Sequence, residues 1–387
     1  MEPIIYLNNA ATTWPKPDPV IKAVEQSFTL PYFEEGRSSV PGQIDYPTLA
    51  RETLAGFFRV KTPDNFIFTQ NATDSLNTVI HGFVNRQGSS THVITTDLEH
   101  NAVLRPLRTL EVKNKISLTV LRSENGYITP ESVRESIKED TSMAVMTHGS
   151  NVLGTVQDIG SIGKILRKKD IFFCVDAAQT AGEIPVNLSK TPVDALVFTG
   201  HKALFGLQGI GGLYIADPER IDPLRQGGTG ANSKYPLQPY DMPMKFEAGT
   251  PNYPGIVSLI AGINYINDTG PEEIRKRTMG LTKLLIDGLK YHPEIILYNQ
   301  NPDLPVISFN INGIDNYTVS RILARGYSII TRAGLHCAPL INVNLPGAHD
   351  GTVRLSPSYL NTENECRKAI EAISEVAGSE DKEIQPA

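Results

Sequence analysis

Two neighbouring stretches of sequence decide the fold: Ile171-Phe172-Phe173-Cys174-Val175-Asp176, and Val193-Asp194-Ala195-Leu196-Val197-Phe198 followed by Thr199-Gly200-His201-Lys202. Each contains a mainly apolar run of the length that is typical of a fully buried strand. Asp176 ends the first run and Lys202 lies just beyond the second, so both polar side chains are expected at the carboxyl ends of strands. In an open α/β sheet, this edge is where ligands bind.

Further apolar runs of strand length lie along the first two-thirds of the chain, at 66–69, 92–96, 117–121, 143–147 and 211–216. Each is followed by a helix-compatible or turn segment, which favours a mainly parallel sheet with helices on both faces. The predicted fold class is therefore α/β. A later run at 305–311 predicts one more strand.

Asp176 and Lys202 have the residue types that a pyridoxal phosphate site requires. Such a site holds its cofactor as a Schiff base on a lysine, and a buried carboxylate keeps the pyridine nitrogen protonated so that the ring can accept electrons. Each residue also has an ordinary alternative, because an aspartate after a strand often caps a turn and most lysines are solvated charges. The two residues alone leave both interpretations open.

The composition is that of an ordinary globular protein. With 387 residues, the chain is long enough for two domains and for a core that needs no disulfide support. A net charge of -6 argues against nucleic acid as a general partner. No apolar run reaches the roughly 20 residues of a membrane span, and the N-terminal residues lack the pattern of a signal peptide. We expect a cytoplasmic protein without a membrane partner, whose three cysteines are thiols.

Three further positions carry side chains of chemical interest. The stretch 69–75 follows a strand and opens a helix, so its amides and the Thr73 hydroxyl can cradle a phosphate; a helix N-cap is the alternative, and both can hold together. His100 follows a strand end, where a surface or core histidine is the alternative. Arg354 lies among apolar residues, where either a substrate carboxylate or a structural ion pair would be its partner.

Cys337 lies in a loop bounded by glycine and proline. A thiol reacts as the thiolate, in a partly exposed position near positive charge. We expect Arg332 and His336 to supply that charge, with His336 also a candidate base. Cys174 in a buried strand and Cys366 in a helical pattern are expected to be inert.

Seven short blocks follow one another along the chain: Asn8-Asn9-Ala10-Ala11-Thr12-Thr13, Glu99-His100-Asn101-Ala102-Val103, Ser150-Asn151-Val152-Leu153-Gly154-Thr155, Asp176-Ala177-Ala178-Gln179, Gly200-His201-Lys202, Phe246-Glu247-Ala248-Gly249-Thr250-Pro251-Asn252 and Arg332-Ala333-Gly334-Leu335-His336-Cys337-Ala338. In this order they resemble the cysteine desulfurase and selenocysteine lyase family of pyridoxal phosphate enzymes. The resemblance extends from residue 6 to about residue 360, nearly the whole chain.

The resemblance implies the fold of class V aminotransferases, which is fold type I of the pyridoxal phosphate-dependent transferases. This fold has a mainly parallel central sheet with helices on both faces and a smaller α+β C-terminal domain. The large cofactor-binding domain would comprise 15–255, and the small domain 1–14 with 256–387. Asn8 departs from the aspartate that is frequent at this position in the family.

The resemblance also implies roles for individual residues. The catalytic residues would be Lys202, which binds the cofactor, His100, whose ring lies against the pyridine, and Cys337, which receives the sulfur. Asp176 would pair with the pyridine nitrogen. The residues that bind the cofactor phosphate would be Ala72, Thr73, Thr199, His201 and, from the neighbouring subunit, Thr250. Those that bind the phenolic oxygen would be Asn151 and Gln179. Those that bind substrate would be Arg354, Asn151 and Ala10. No metal site is implied.

The activity implied is that of an L-cysteine desulfurase, which forms L-alanine and a persulfide on Cys337 for transfer to an acceptor. Three alternatives stay open. L-selenocysteine could be a substrate, as in a selenocysteine lyase. The chain could instead be an aminotransferase or a β-eliminating carbon–sulfur lyase, with Cys337 a bystander, or a silent scaffold, against which the intact site residues argue.

A homodimer with a shared active site follows from the implied role of Thr250. The loop 227–244 is shorter than in desulfurases that dock a dedicated acceptor protein there, so the resemblance leaves open whether the acceptor is a protein or a small thiol.

Overall fold

A computed structural model of the chain describes residues 3–31, 44–88, 90–230 and 233–379. The chain divides into two compact units. The first, which we call the sheet unit, comprises 16–149 and 157–271; the second, the terminal unit, comprises 1–15, 150–156 and 272–387. These limits differ from the predicted domain limits at Pro15, at 150–156 and at 256–271, and the domain assignment stays a prediction.

The strands of the described residues, in chain order, are β1 (Ile5–Tyr6), β2 (Phe66–Thr69), β3 (Thr91–Thr96), β4 (Ile116–Leu121), β5 (Thr141–Thr147), β6 (Phe172–Asp176), β7 (Ala195–Thr199), β8 (Gly211–Ile215), β9 (Ile295–Leu297), β10 (Ile307–Ile311), β11 (Ile329–Ile330), β12 (Arg332–Gly334) and β13 (Thr352–Leu355). The α-helices are α1 (Asp18–Ser27), α2 (Tyr46–Phe58), α3 (Ala72–Gln87), α4 (Asn101–Val112), α5 (Pro130–Ser136), α6 (Ile159–Arg167), α7 (Tyr253–Thr269), α8 (Pro271–Leu289), α9 (Asn316–Tyr327), α10 (Pro339–Asn344) and α11 (Glu363–Gly378).

The sheet unit is built on a seven-stranded sheet with the order β2-β8-β7-β6-β5-β3-β4. All neighbours are parallel except for β8, which runs antiparallel to both β2 and β7. Every residue of β6, β7 and β8 is buried, so both faces of the sheet are covered there. The strands predicted in this region are confirmed to within two residues at each end, because fully buried strands are continuous apolar runs.

One edge of this sheet collects the strand ends on which the site prediction depends. Thr96, Thr147, Asp176 and Thr199 are the last residues of β3, β5, β6 and β7. Since these strands are parallel, the four residues lie along the same carboxyl edge. The antiparallel strand β8 begins there, where Gly211 pairs with Thr199.

The terminal unit contains a four-stranded antiparallel sheet with the order β12-β13-β10-β9, and a parallel pair of β1 with β11. Its core combines residues of β10 and β13 with the apolar faces of α8, α9 and α11. A capping box starts α11, in which Thr362 and Glu365 each accept from the other's backbone N–H. This is the α+β architecture expected of the smaller domain.

In the part of the chain that the structure describes, no helix combines the length and the apolar composition needed to cross a membrane.

Candidate active site

Asp176, at the end of β6, is 5% exposed. Its Oδ1 accepts a hydrogen bond of 2.9 Å from the backbone N–H of Ala178. Burial raises the pKa of this carboxyl, while the Ala178 N–H and the positive charge of Lys202 oppose the rise. A cationic partner therefore favours the ionised form of this carboxyl.

Lys202 lies in a turn that backbone hydrogen bonds fix after β7. Its carbonyl accepts from the N–H of Phe205 at 2.9 Å, and the carbonyl of His201 accepts from the Nζ of Lys16 at 3.0 Å. Burial lowers the pKa of His201 to about 4, and the charges of Lys202 and Lys16 add to this effect. His201 is therefore neutral near pH 7 and can present a neutral imidazole to an anion.

The turn where β2 leads into α3 presents a helix N-terminus. Asn71 is the N-cap of this 16-residue helix and accepts from the N–H of Asp74 at 3.0 Å. A Cβ at Gly211 would lie 2.7 Å from the Asn71 backbone, so only glycine lets β8 begin against this turn. The first-turn amides, which include those of Ala72 and Thr73, point outward at the positive end of the helix dipole.

His100 has a structural role that the sequence did not predict, because it is the N-cap of α4. Its Nδ1 accepts from the N–H of Ala102 at 3.0 Å. The ring proton of the neutral imidazole therefore lies on Nε2. The ring is partly exposed, as is the amide of Gln179 just beyond β6.

Glu99, which the sequence analysis did not single out, is fully buried beside His100. Its Oε1 accepts from the Thr96 hydroxyl at 2.7 Å and from the N–H of Thr147 at 3.0 Å, whereas its Oε2 has no hydrogen-bond partner among the described residues. Burial raises the pKa of Glu99 to about 8, despite these two hydrogen bonds. Its acidic side chain three residues after a buried strand was the available signal.

Arg354, in β13 of the terminal unit, is 1% exposed. Its guanidinium donates to the carbonyl of Asn151 at 3.0 Å and to Oδ1 of Asn8 at 3.3 Å. Its Nε has no hydrogen-bond partner among the described residues. Because both acceptors are neutral, the positive charge is left for a further anion. Burial lowers the pKa of Arg354 to about 9, so the group stays protonated at neutral pH.

Cys337 is partly buried and lies between β12 and α10. Its Sγ accepts from the guanidinium of Arg332 at 3.3 Å. His336 and Cys337 both have left-handed backbones, with φ of 52° and 60°, a conformation that side chains other than glycine seldom adopt. The contact between Arg332 and Sγ meets the expectation that Arg332 supplies positive charge to the thiol.

The expectation that His336 also supplies positive charge to the Cys337 thiol is wrong. This side chain is 2% exposed, and its Nε2 is 2.8 Å from the Thr352 hydroxyl. Burial, followed by the charges of Arg354 and Arg332, holds the pKa of His336 well below its usual value. His336 is neutral and does not add positive charge beside the thiol.

Two more predicted residues lie in the terminal unit. The Nδ2 of Asn151 donates to the carbonyl of His336 at 2.6 Å, so this amide anchors the loop of Cys337. The backbone N–H of Ala10 donates to the Ser356 hydroxyl at 2.9 Å.

The other two cysteines are buried free thiols, as predicted. Burial raises the pKa of Cys174 well above its usual value and that of Cys366 to about 12. Neither is a thiolate at neutral pH.

The residues present fit pyridoxal phosphate. The buried carboxyl of Asp176 suits a protonated pyridine nitrogen. The Oγ1 of Thr199 is buried without a hydrogen-bond partner among the described residues, at the edge where α3 offers its amides to a phosphate. The unpaired Nε of Arg354 suits the carboxylate of an amino acid.

Comparison with known proteins agrees with this chemistry. The family model "Aminotransferase class-V" matches residues 5–368. A protein named "Probable cysteine desulfurase" from Methanothermobacter thermautotrophicus is 34% identical over 391 residues, covering 97% of this chain and 95% of the relative. One of the same name from Pyrococcus abyssi is 32% identical, with the same two coverages of 97% and 95%. The apo structure of a cysteine desulfurase from Thermococcus onnurineus NA1 has a TM-score of 0.85 at 30% identity, covering 97% of this chain and 94% of that one.

The chain therefore belongs to the class V aminotransferase family and, within it, to the cysteine desulfurases. Enzymes of this family depend on pyridoxal phosphate.

Proposed function

We propose that this chain is a pyridoxal phosphate-dependent L-cysteine desulfurase that forms L-alanine and a persulfide on Cys337. The observation that carries the proposal is the contact between Arg332 and the Cys337 Sγ. A guanidinium at this distance stabilises the thiolate, which is the form that attacks sulfur.

When bound, pyridoxal phosphate supplies an electron sink for the carbanion formed on the substrate. In our proposal Lys202 holds the cofactor, Asp176 pairs with its pyridine nitrogen and His100 lies against its ring. The cofactor phosphate is bound by Ala72, Thr73, Thr199 and His201, with Thr250 from a second subunit. The phenolic oxygen is bound by Gln179 and Asn151. Because Nδ2 of Asn151 already donates to His336, its remaining donor capacity is one N–H.

Proton transfer falls to Lys202, whose Nζ would accept the substrate α-proton as an amine. Arg354 orients the substrate through its carboxylate, with Asn151 and Ala10 beside it in our assignment. The two hydrogen-bond acceptors of Arg354, the Asn151 backbone carbonyl and the Asn8 side-chain amide, are neutral, so the incoming carboxylate would be its anionic partner.

Cys337 then carries the sulfur chemistry. A bond forms between its Sγ and the substrate sulfur, and the carbon–sulfur bond of the substrate breaks. The substrate Cβ keeps the electron pair of the broken bond and takes up a proton, which gives alanine. The loop must then carry the persulfide outward to an acceptor, either a protein or a small thiol.

We propose a homodimer, because Thr250 is exposed on the single chain and would serve the site of a second copy. The proposed location is the cytoplasm, where the three free thiols would stay reduced. L-Selenocysteine is a second candidate substrate, since its selenol is more acidic and needs less help from Cys337.

The products of a single incubation test the reaction. Purified protein loaded with pyridoxal phosphate is given L-cysteine and a reductant, and alanine, sulfide and pyruvate are measured in parallel. We expect equal amounts of alanine and sulfide. Pyruvate with ammonia would instead indicate β-elimination, and mercaptopyruvate would indicate transamination; either outcome would contradict the proposal.

A further inference from the structure

Among the described residues, β2 is an edge strand, because β8 is the one strand with which it pairs. The outer edge of such a strand leaves backbone groups without ladder partners. Two of these groups are bound by side chains: the carbonyl of Phe66 accepts from Nε of Arg51 at 3.1 Å, and the N–H of Phe68 donates to Oε1 of Glu247 at 2.7 Å. Arg51 and Glu247 are themselves paired at 2.6 Å.

This ion pair is well shielded from water, with side-chain exposures of 9% for Arg51 and 21% for Glu247. The Arg51 guanidinium also lies over the ring of Phe68, 4.7 Å from its centroid. Charge-assisted hydrogen bonds in such a setting fix geometry, and removal of one charge leaves the other buried without a partner. Glu247 is thereby attached to α2 and to β2 at once.

Glu247 lies three residues before Thr250, which is exposed. On the other side of Thr250, Asn252 is the N-cap of α7 and donates from Nδ2 to the carbonyl of Gly209 at 2.7 Å. Between these anchors, the N–H of Gly249 donates to the carbonyl of Gly228 at 2.8 Å. Thr250 is therefore the exposed tip of a segment that is held at both ends.

We propose that Arg51 and Glu247 are positioning residues that hold Thr250 where it can contact the cofactor phosphate bound by a second copy of the chain. This inference rests on the proposed shared site. It adds the ion pair that fixes the position of Thr250 for that site. In this proposal the main effect of the ion pair is on the partner's site, through Thr250.

Two purified heterodimers with differently tagged subunits test this direction. The first combines a Lys202→Ala/Glu247→Ala chain with a Thr250→Ala chain, and the second combines a Lys202→Ala chain with a Thr250→Ala/Glu247→Ala chain. In both, the one site that keeps Lys202 receives Thr250 from the other subunit. Only in the first does that donating subunit lack Glu247.

The readouts are the dissociation constant for pyridoxal phosphate, followed by absorbance, and the rate of alanine formation. We expect the first heterodimer to bind the cofactor about tenfold more weakly than the second, with a matching loss of rate. A purely structural role would lower both heterodimers equally, and that result would overturn the inference.

The parent pair, Lys202→Ala with Thr250→Ala, separates this failure from failure of the shared site. If the parent pair forms no alanine after demonstrated subunit exchange, the shared site is contradicted, and so is the inference that rests on it. If the parent pair is active but the two heterodimers with Glu247→Ala do not differ, the inference is contradicted and the shared site is not.

The matched control is Glu219→Ala, introduced in place of Glu247→Ala into the same two heterodimers. Glu219 is an exposed carboxylate that pairs with Lys245, in the same segment, at 3.4 Å, and we expect no dependence on placement. If chains with Glu247→Ala do not fold, Glu247→Gln takes its place, because its amide oxygen still accepts from Phe68 but carries no charge for Arg51. Equal behaviour of Glu247→Gln in both placements would also contradict the proposal.

Discussion

At the scale of single residues, the proposed chemistry depends on the charge state of Asp176. Burial raises the pKa of this carboxyl, and a nearby cation opposes the rise and favours the ionised form. We expect Asp176→Asn to retain measurable cofactor binding but to form alanine at least about 100-fold more slowly, the usual loss when a group that stabilises charge in the transition state is removed. Turnover within about threefold of the wild type would reject the role.

Arg332 should set the reactivity of Cys337. Without the guanidinium 3.3 Å from its sulfur, the thiolate loses a charge-assisted hydrogen bond, and a loss of about 1.4 kcal/mol of stabilisation corresponds to about a tenfold change in rate. We expect Arg332→Met to slow alkylation of Cys337 by iodoacetamide about tenfold near neutral pH. Arg321→Met, which removes an exposed arginine of α9, is the control and should leave the rate unchanged.

Glu99 should make stability depend on pH. Its pKa is raised from 4.5 to about 8 in the folded chain, so the folded state holds a proton that the unfolded state releases above about 4.5. The stabilisation is complete below the unfolded pKa and declines as pH rises towards 8, by up to about 1.4 kcal/mol per pH unit.

Glu99→Gln has no proton to lose, so we expect its stability relative to wild type to increase between pH 5 and pH 8. Urea unfolding of the cofactor-free proteins at these two values measures the difference. A constant difference in the free energy of unfolding would show that Glu99 is not protonated in the folded protein.

The sequence located most candidate residues but not their charge states. Asp176 and Lys202 were recognisable because each follows a buried apolar run, and Cys337 because its loop is bounded by glycine and proline. The neutrality of His336 was not predictable, since it depends on burial against Thr352 and on Arg354, which are brought near it only by folding. The assigned roles stay predictions.

At the scale of elements, the start of α3 combines a helix cap with the proposed phosphate site. Asn71→Ala removes the side chain that accepts from Asp74, which should lower the free energy of unfolding by about 1 kcal/mol and also weaken cofactor binding. Thr362→Ala removes the corresponding cap of α11 and should destabilise similarly without affecting the cofactor. Equal cofactor affinities in the two variants would mean that α3 does not bind the phosphate.

Long buried strands were predictable from sequence, and very short ones were not. β1 and β11 have only two residues each, too few for a pattern to be recognised. The ion pair of Arg51 and Glu247 was also not predictable, because the two residues lie 196 positions apart and each residue type alone is typical of a solvated surface.

At the scale of the whole molecule, we expect a dimer in solution. Light scattering on the cofactor-loaded protein should give twice the chain mass, and the mass should not fall on dilution to working concentrations. A monomer that still forms alanine at its full rate would exclude any part for Thr250 of a second subunit.

The most direct test of the central claim follows the sulfur atom itself. The loaded enzyme is pulsed with L-cysteine that carries heavy sulfur, quenched with an alkylating agent, digested and examined by mass spectrometry. We expect one extra heavy sulfur on the peptide that contains Cys337, in an amount equal to the alanine formed, and none on the peptides of Cys174 or Cys366. Full alanine production with the extra sulfur on either of those cysteines, or on none, would contradict the account.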